Sequence, residues 1–320
     1  MEVTQAAEHG RAVIAEIERA VVGRRDALMH VMVAILAGGH VLLDDLPGLG
    51  KTQIARCFAE TLGLRFARVQ FTPDLLPSDL TGASLYDPST ARFTFHEGPV
   101  FTNVLLADEI NRTPPKTQAA LLEAMQERQV TVDGRTLALP EPFVVLATEN
   151  PVEYEGTYPL PEAQLDRFAV RLNLGYLRDE DELELLRGRV ARTSGEVSLN
   201  TVTDPETVTA MCACVEQVHI DDDILDYVLR LVTATREHPQ VTVGASPRAA
   251  LTLVQLARAR ALLTDRDYVL IEDVKVQAVP ALAHRLSLRP ELWVRRVTGG
   301  DIVAELLQNV SAPSTDPHPR

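Results

Sequence analysis

The chain has 320 residues, of which 46% are hydrophobic and 24% charged, so it can bury the core of one large or two ordinary globular domains. Its formal net charge of −14 and pI near 5.0 argue against a general nucleic-acid-binding surface, which requires a basic face. Residues 1–11 contain no apolar signal-peptide core, and the apolar run at 31–37 is far shorter than the roughly 18 residues of a membrane span. We therefore expect a cytoplasmic protein.

The cysteines and histidines show no spacing typical of a metal site. Cys57 lies in a predicted helix, and Cys212 and Cys214 are separated by one residue in another, which is too few for a disulfide framework. We expect buried free thiols, and no metal other than a nucleotide-bound Mg²⁺.

Two helices are predicted before the first strand. Apolar side chains recur every four residues over 4–21, which indicates an amphipathic helix that ends at Val22-Gly23. A second helix is predicted over 25–37, where Gly38-Gly39 ends it and leads the chain into the strand at residue 41.

Residues 41–52, with the sequence VLLDDLPGLGKT, combine a short apolar strand, a Pro/Gly turn and the start of a helix that continues over 53–62. The backbone N–H groups of residues 47–52 would face the β- and γ-phosphates of a nucleotide, because unpaired amides and the helix dipole favour an anion. Lys51 would add a positive charge, and the Thr52 hydroxyl could bind Mg²⁺. The alternative is a chance Gly-Lys-Thr at a helix start.

Asp45 stands where the pattern Gly-x-x-x-x-Gly-Lys-Ser/Thr has its first glycine. Aspartate is among the few residues besides glycine that tolerate left-handed backbone, so we expect the loop still to form. The candidate nucleotide-binding residues are Pro47, Gly48, Leu49, Gly50, Lys51, Thr52 and Gln53 of the loop and helix start, with Val22 and Gly23 from the break after the first helix.

The segment after the loop helix predicts an insertion. Alternating polar and apolar residues over 68–71 indicate a second strand. Residues 72–100 are rich in Pro, Gly and β-forming residues, and the spacing of Phe93, Phe95 and Phe101 favours an inserted hairpin with a short helix over an ordinary surface loop.

The next apolar strand ends in two carboxylates. Residues 104–107 are Val-Leu-Leu-Ala, and Asp108 and Glu109 follow directly. Buried parallel strands bring such acids to their C-terminal ends, where ligands bind in open α/β sheets. Asp108 would hold Mg²⁺ opposite Thr52, and Glu109 would orient and deprotonate the attacking water. The alternative is a strand that ends in two solvated acids.

Further elements complete an α/β pattern. An amphipathic helix is predicted over 116–129, and a hairpin over 129–139 with an Asp133-Gly134 turn. A continuous apolar strand over 143–147 ends in Thr-Glu-Asn-Pro, whose polar side chains would lie beside the acidic strand end, and residues 168–172 supply a fifth strand.

Five motifs, in this order, resemble the MoxR family of AAA+ ATPases along nearly the whole chain. They are LPGLGKT at 46–52, ADEINR at 107–112 with PPKTQ at 114–118, LEAMQ at 122–126, ATENP at 147–151 with YEGTY at 154–158, and LPEAQLDRF at 160–168. The resemblance implies an α/β P-loop AAA+ core over residues 1–178, in which a five-stranded parallel sheet lies between helices, with a helix-2 insert and a pre-sensor-1 hairpin. It also implies an all-helical C-terminal lid over 179–311, a flexible tail over 312–320, and homo-oligomeric rings, usually hexamers.

The resemblance also implies roles for the site residues. Asp108 and Glu109 would be the Walker B acids, and Asn150 would be the first sensor. ATP and Mg²⁺ are the implied cofactors, with the metal held by Thr52 and Asp108. The implied catalytic residues are Glu109, Asn150, Arg167 and Arg248.

Two positions leave alternatives open. Arg167 matches the arginine finger that reaches a neighbouring subunit's γ-phosphate, and the alternative is a surface ion pair with Asp166 or Glu162. Glu149 stands where the family more often has glutamine, and it would bring a negative charge close to the phosphates.

Helical patterns fill the rest of the chain, with one helix beginning at residue 179 and others at 204–217, 221–237, 246–263, 271–286 and 301–310. Within them, residues 244–249 (GASPRA) resemble the family's second sensor, so Arg248 would contact the nucleotide. A helix start disfavours arginine, which is a small hint of an anionic partner. The alternative is a solvated surface arginine.

These motifs favour an ATP-hydrolysing ring motor that remodels or matures other proteins. The MoxR resemblance implies partners that often carry von Willebrand factor A domains, so any membrane contact would be indirect, through a partner. The alternatives are the ATPase subunit of a metal chelatase and, against the acidic charge balance, a nucleic-acid motor. The intact acid pair disfavours a switch without turnover, and the chain has no Asn-Lys-x-Asp of a GTPase.

Overall fold

The computed structural model describes residues 1–89, 91–150, 156–191, 197–291 and 296–313. The first part of the chain contains α1 (Val3–Glu18), α2 (Arg25–Leu36), β1 (Val41–Asp44), α3 (Lys51–Thr61), β2 (Phe66–Gln70), α4 (Pro77–Thr81), β3 (Gly82–Asp87), β4 (Arg92–Glu97), β5 (Val104–Asp108), α5 (Pro115–Glu127), β6 (Gln129–Val132), β7 (Arg135–Ala138), β8 (Val144–Glu149), α6 (Glu162–Leu165) and β9 (Val170–Leu172). The second part contains α7 (Asp179–Ala191), α8 (Pro205–Val215), α9 (Asp222–Glu237), β10 (Val241–Val243), α10 (Pro247–Leu263), α11 (Ile271–Leu282), β11 (Ser287–Leu288) and α12 (Gly299–Asn309).

Five strands form one parallel sheet in the order β2-β5-β8-β1-β9. The central strands β5 and β8 are buried along almost their whole length, as expected for parallel strands with helices on both faces. The register pairs Leu106 with Leu146 and Leu42 with Ala147, so the polar residues that end these strands meet at one edge. The predicted five-stranded P-loop core is confirmed.

Alternate residues of the strands face two separate hydrophobic layers. Val104 and Leu106 pack in one layer with α1, α2 and α3, whereas Leu105 and Ala107 pack in the other with α5. The sheet is therefore a rigid middle layer, and its carboxyl edge is the natural position for a ligand.

Two antiparallel hairpins extend from this core, as predicted. In the insert, β3 and β4 follow the short helix α4, and Tyr86 pairs with Phe93 at 5.4 Å between ring centroids. In the second hairpin, β6 and β7 are joined by Asp133 and Gly134, which both have positive φ angles of 51° and 75°. Two central residues with positive φ are what a two-residue type I′ turn requires, which explains the Asp-Gly sequence.

The C-terminal region is helical, as predicted, and packs on α1 and α2. Side chains of α8 to α12 belong to the same hydrophobic cluster as those of α1, α2 and α3. A small antiparallel pair, β10 with β11, was not predicted, because strands of three and two residues are too short to show an alternating pattern. The division at residues 178 and 179 stays a prediction.

Some element ends differ from the predicted ones. Helix α1 ends at Glu18 rather than at residue 21, and the chain turns before Gly23, which has a φ angle of 70°. The helix predicted over 271–286 ends at Leu282 and continues as a short 3₁₀ turn, in a segment where Pro280 removes one backbone N–H.

Parts of two predictions fall outside the described residues. These are residues 314–320 of the predicted tail and residues 151–155 of the sensor motifs. Among the helices that the structure describes, none has the length and apolar character needed to cross a bilayer.

Candidate nucleotide-binding site

The phosphate loop between β1 and α3 has the glycine conformations that a P-loop needs. Gly48 and Gly50 have φ angles of 84° and 87°, in the left-handed region. A Cβ atom added at either glycine would meet nothing within 4 Å, so the loop requires glycine for its backbone conformation and leaves open space beside it. The first N–H groups of α3 follow Gly50 directly, and they provide an anion-binding helix start.

Asp45 is not among the residues with a positive φ angle, so its place in the loop does not depend on the left-handed conformation that aspartate tolerates. Its buried carboxylate instead accepts three backbone N–H groups, from Leu46 at 2.8 Å, Leu174 at 2.5 Å and Gly175 at 2.7 Å. Asp45 therefore fastens the start of the phosphate loop to the segment that follows β9, a function that a glycine could not perform.

Lys51 lies between the loop and the end of β8. Its ammonium group donates to the carbonyl oxygen of Asp45 at 2.6 Å and to that of Glu149 at 3.0 Å. Burial lowers the pKa of Lys51, and the nearby carboxylates of Asp45 and Asp108 oppose that shift. The charge is thus held where the phosphate loop meets the end of β8.

The first acid, Asp108, is buried at the end of β5 and has defined partners on both oxygens. Its Oδ1 accepts the Thr148 hydroxyl at 2.6 Å, and its Oδ2 accepts Arg68 Nη2 at 2.7 Å. The Thr148 hydroxyl in turn accepts the backbone N–H of Glu109 at 2.8 Å. Thr148 therefore joins both acids to the neighbouring strand β8.

The second acid, Glu109, has a left-handed backbone with a φ angle of 56° just beyond the strand. Its Oε2 accepts Gln70 Nε2 at 2.8 Å and lies 3.0 Å from Arg112 Nε. The sequence placed the polar residues that end β8, Thr148 among them, beside the acids, but Arg68 and Gln70 were not predicted as site residues. Both are polar residues of the predicted second strand. The sequence did not show that this strand lies beside the strand that carries the acids.

The oxygen-rich edge fits a hard cation. Mg²⁺ takes oxygen ligands such as the Asp108 carboxylate and the Thr52 hydroxyl at the start of α3, together with nucleotide phosphates. Within the described ranges, no group of three or more His, Cys, Asp or Glu side chains could hold a metal ion by itself.

Glu149 and Asn150 end β8 beside the loop. Asn150, the predicted first sensor, is buried. Burial raises the pKa of Glu149 to about 7; Arg171 opposes that shift and Asp44 adds to it. The negative charge that the sequence places near the phosphates is therefore only partly developed at neutral pH.

A cavity of about 230 Å³ opens beside the loop and could take the base of a nucleotide. It is lined by the predicted residues Val22, Gly48, Leu49, Gly50 and Gln53, and by Tyr176, Leu177, Glu182 and Leu185, which the sequence did not indicate. Gly23 lies next to this wall, and a Cβ atom there would come within 2.7 Å of the Asp181 side chain. The predicted residues Pro47, Lys51 and Thr52 belong to the loop and the start of α3 but do not line this cavity.

Arg167 and Arg248 lie together on a different surface. With Arg128 they line a cavity of about 300 Å³ that shares no lining residue with the nucleotide cavity. Leu251 lines the same cavity, and we call these three arginines and Leu251 the arginine face. The structure therefore places the predicted finger and the predicted second sensor side by side, away from the loop of their own chain.

The alternative explanation of Arg167 as an ion-pair partner finds no support. Asp166 is held by the lid, since its Oδ1 accepts Arg285 Nε at 2.7 Å and its Oδ2 accepts the Ser246 hydroxyl at 3.1 Å. Among the described residues, neither Arg167 nor Arg248 forms an ion pair. Both guanidinium groups are thus available to an anion outside the chain.

Comparison with known proteins identifies the family of this chain. Residues 40–170 match the model of the ATPase family associated with various cellular activities (AAA), and residues 233–306 match that of the AAA lid domain. The chain is 48% identical to the uncharacterized protein YeaC of Bacillus subtilis over 95% of this chain and 94% of that one. It is 41% identical to Chaperone MoxR1 of Mycobacterium tuberculosis over 96% and 83% of the respective chains.

A solved structure from Cytophaga hutchinsonii, described as that of a candidate ATPase, agrees with the whole fold at a TM-score of 0.91. It is 41% identical, and the match covers 98% of this chain and 97% of that chain. The sequence relatives and the fold agree with the phosphate loop, the paired acids and the helical lid. This chain belongs to the MoxR family of AAA+ ATPases.

Proposed function

We propose that this ATPase works as a homo-oligomeric ring, usually a hexamer in this family, in which each nucleotide site is completed by the neighbouring subunit. The observation that supports this is the separation of the two parts of the site. The phosphate loop and both acids lie at the sheet edge, whereas Arg167 and Arg248 lie unpaired on the arginine face. One chain alone therefore holds an incomplete site.

Within one subunit, the loop amides and Lys51 bind the phosphates, and the wall with Val22 and Gln53 takes the base. Thr52 and Asp108 would hold Mg²⁺, which neutralises charge on the phosphates when bound. Glu109 orients the attacking water and takes its proton, because a carboxylate is a suitable general base at this position. Asn150 at the end of β8 would sense the γ-phosphate.

The neighbouring subunit would supply Arg167 and Arg248. A guanidinium group beside the γ-phosphate stabilises the charge that develops in the transition state, and such a finger contributes about 10³ to 10⁵ in rate. Because both arginines lack an ion-pair partner among the described residues, no internal contact has to break before they act.

We propose a chaperone-like role, in which the ring remodels or matures protein partners, among them proteins with von Willebrand factor A domains. The printed name of the relative Chaperone MoxR1 supports this role. It is preferred over a chelatase subunit because the match to that chaperone covers 96% of this chain. The net charge of −14 speaks against a nucleic-acid motor. We place the protein in the cytoplasm, with membrane contact only through a partner.

ATP turnover per subunit, measured as protein concentration rises, tests the ring. We expect the specific activity of the wild type to increase with concentration, and Arg167→Ala and Arg248→Ala each to lose activity at every concentration, by about 10³ for Arg167, while still binding ATP. Arg230→Ala is the control, since Arg230 forms a surface ion pair with Asp226 and should keep wild-type turnover. Constant activity down to nanomolar protein, unaffected by Arg167→Ala, would refute the proposal.

A further inference from the structure

Helix α7 has no buried residue among its 13 positions, although it carries several large apolar side chains. Leu183, Leu186 and Val190 are 45%, 57% and 86% exposed. Their spacing of three and four residues places them on one side of the helix, and we call these three residues the α7 stripe. An exposed apolar stripe on a helix with no fully buried position is typical of a contact surface.

The neighbouring side of α7 borders the nucleotide. Glu182 and Leu185 belong to the wall of the nucleotide cavity, together with Gly48 and Gly50 of the phosphate loop. With about 100° of rotation per residue, Glu182 lies one turn before Leu186 on the same face, whereas Leu185 lies about 100° from Leu186. The α7 stripe therefore borders the side of the helix that lines the cavity. Anything that covers the stripe would therefore lie close to the nucleotide.

Acidic side chains dominate the first half of α7 beside Leu183, whereas Arg187 and Arg189 flank the stripe in its second half. The first turn of α7 is Asp179-Glu-Asp-Glu, and Glu184 follows. Asp181 pairs with Arg178 at 2.9 Å, whereas Asp179, Glu180, Glu182 and Glu184 are exposed. The partner of this surface should therefore combine an apolar contact with positive charge.

The arginine face of the same chain has that combination. Leu251 is 70% exposed on α10, one turn after Arg248, and it shares a cavity wall with Arg128 and Arg167. The two surfaces are different parts of one chain and are complementary in charge. A contact between such surfaces is head-to-tail, and head-to-tail contacts form rings when the rotation between subunits closes.

We propose that the α7 stripe docks on the arginine face of a second copy of this chain. This inference rests on the proposed ring and names the surfaces that build it. Leu251 of one subunit packs against the α7 stripe of the next subunit. The three arginines of the same arginine face then lie opposite the acids of that α7 and opposite the nucleotide next to it. Because α7 also lines the nucleotide cavity, nucleotide binding and subunit contact are linked through one helix.

Leu186→Glu combined with Val190→Glu tests the contact, because both added charges would be buried there without a partner. We expect the double variant to require at least about tenfold more protein for assembly than the wild type, in sedimentation velocity with ATP present. A fluorescent ATP analogue should still bind the dissociated chain. Leu229→Glu is the matched control, since Leu229 is also 57% exposed but lies on α9. Assembly of the double variant at wild-type concentrations would refute the contact.

A cysteine pair tests the direction of docking. Val190→Cys combined with Leu251→Cys should give a ladder of disulfide-linked oligomers after oxidation, and neither single variant should exceed the wild-type level. The natural cysteines are free, and all three are buried or half-buried.

The wild type separates this inference from the proposed ring. If the wild type assembles and needs Arg167, but the cysteine pair gives no ladder and the double glutamate variant assembles normally, the α7 contact is wrong and the ring motor stands. If the wild type stays monomeric at every concentration, the ring itself is wrong.

Discussion

The state of single residues at the site is set by their neighbours, and Glu149 is the clearest case. Its position at the end of β8 places it opposite Asp44 in the parallel register with β1. Burial outweighs the attraction of Arg171 and Lys51, so the pKa of the carboxyl is raised to about 7. A protonated Glu149 resembles the glutamine that the family more often has here. A glutamate in place of that glutamine therefore adds less than a full negative charge to the site at neutral pH.

Glu149→Gln is expected to raise thermal stability at pH 8, and to raise it less at pH 5.5. The folded chain disfavours the charged form, so the wild type loses stability as pH rises from the ordinary pKa of 4.5 through about 7, whereas glutamine has no proton to lose. Melting temperatures at both pH values, measured without nucleotide, check this. Glu123→Gln, at an exposed position on α5, is the control. Equal shifts at both pH values would contradict the raised pKa.

At the scale of elements, the phosphate loop is connected to the end of the sheet by hydrogen bonds. Asp45 joins the loop to Leu174 and Gly175, and Arg24 donates to the carbonyl oxygens of the same two residues. Leu174 and Gly175 lead into α7. The phosphate loop, the segment between α1 and α2 and the segment before α7 are therefore connected by one set of hydrogen bonds.

Asp45→Gly would restore the glycine of the common loop pattern, yet we expect it to lower the free energy of unfolding by about 2–4 kcal/mol. The substitution removes a buried charged acceptor of three backbone N–H groups and leaves those groups unpaired. Urea unfolding monitored by circular dichroism measures the change. Asp45→Asn keeps one acceptor oxygen, so its free energy of unfolding should lie between those of the wild type and Asp45→Gly. A glycine variant as stable as the wild type would show that the hydrogen bonds contribute little.

The elements around this site could be predicted because their signals are local. Continuous apolar runs ending in polar residues indicate parallel strands, and Asp133-Gly134 indicates a hairpin. The partners of the site residues could not be predicted, because they depend on strand order. Arg68 and Thr148 each contact Asp108 across 40 residues of sequence. That the loop tolerates Asp45 could be argued from a backbone rule, whereas the contacts of its carboxylate with Leu174 and Gly175 lie 129 and 130 residues away.

At the scale of the whole molecule, the lid holds the segment around Arg167, the proposed arginine finger, in place. Arg285 is buried, and it donates to Asp166 Oδ1 at 2.7 Å and to the carbonyl oxygen of Phe168 at 2.9 Å, on either side of Arg167. The Ser246 hydroxyl, which caps α10 just before Arg248, donates to the same Asp166. Both arginines are thus fixed relative to each other by one network, and a neighbouring nucleotide would meet them together.

Mixing two inactive variants should therefore restore ATP turnover. Glu109→Gln removes the base but keeps the arginine face, and Arg167→Ala removes the finger but keeps the base. In mixed rings an Arg167→Ala subunit can receive the finger of a Glu109→Gln neighbour, so about a quarter of the sites become complete at equal amounts and random order. The assay is phosphate release from the mixture against each variant alone at the same total concentration. Adding a chain with both substitutions in place of Glu109→Gln is the control, since it supplies neither group. If the mixture is no more active than its components, the finger acts within its own chain.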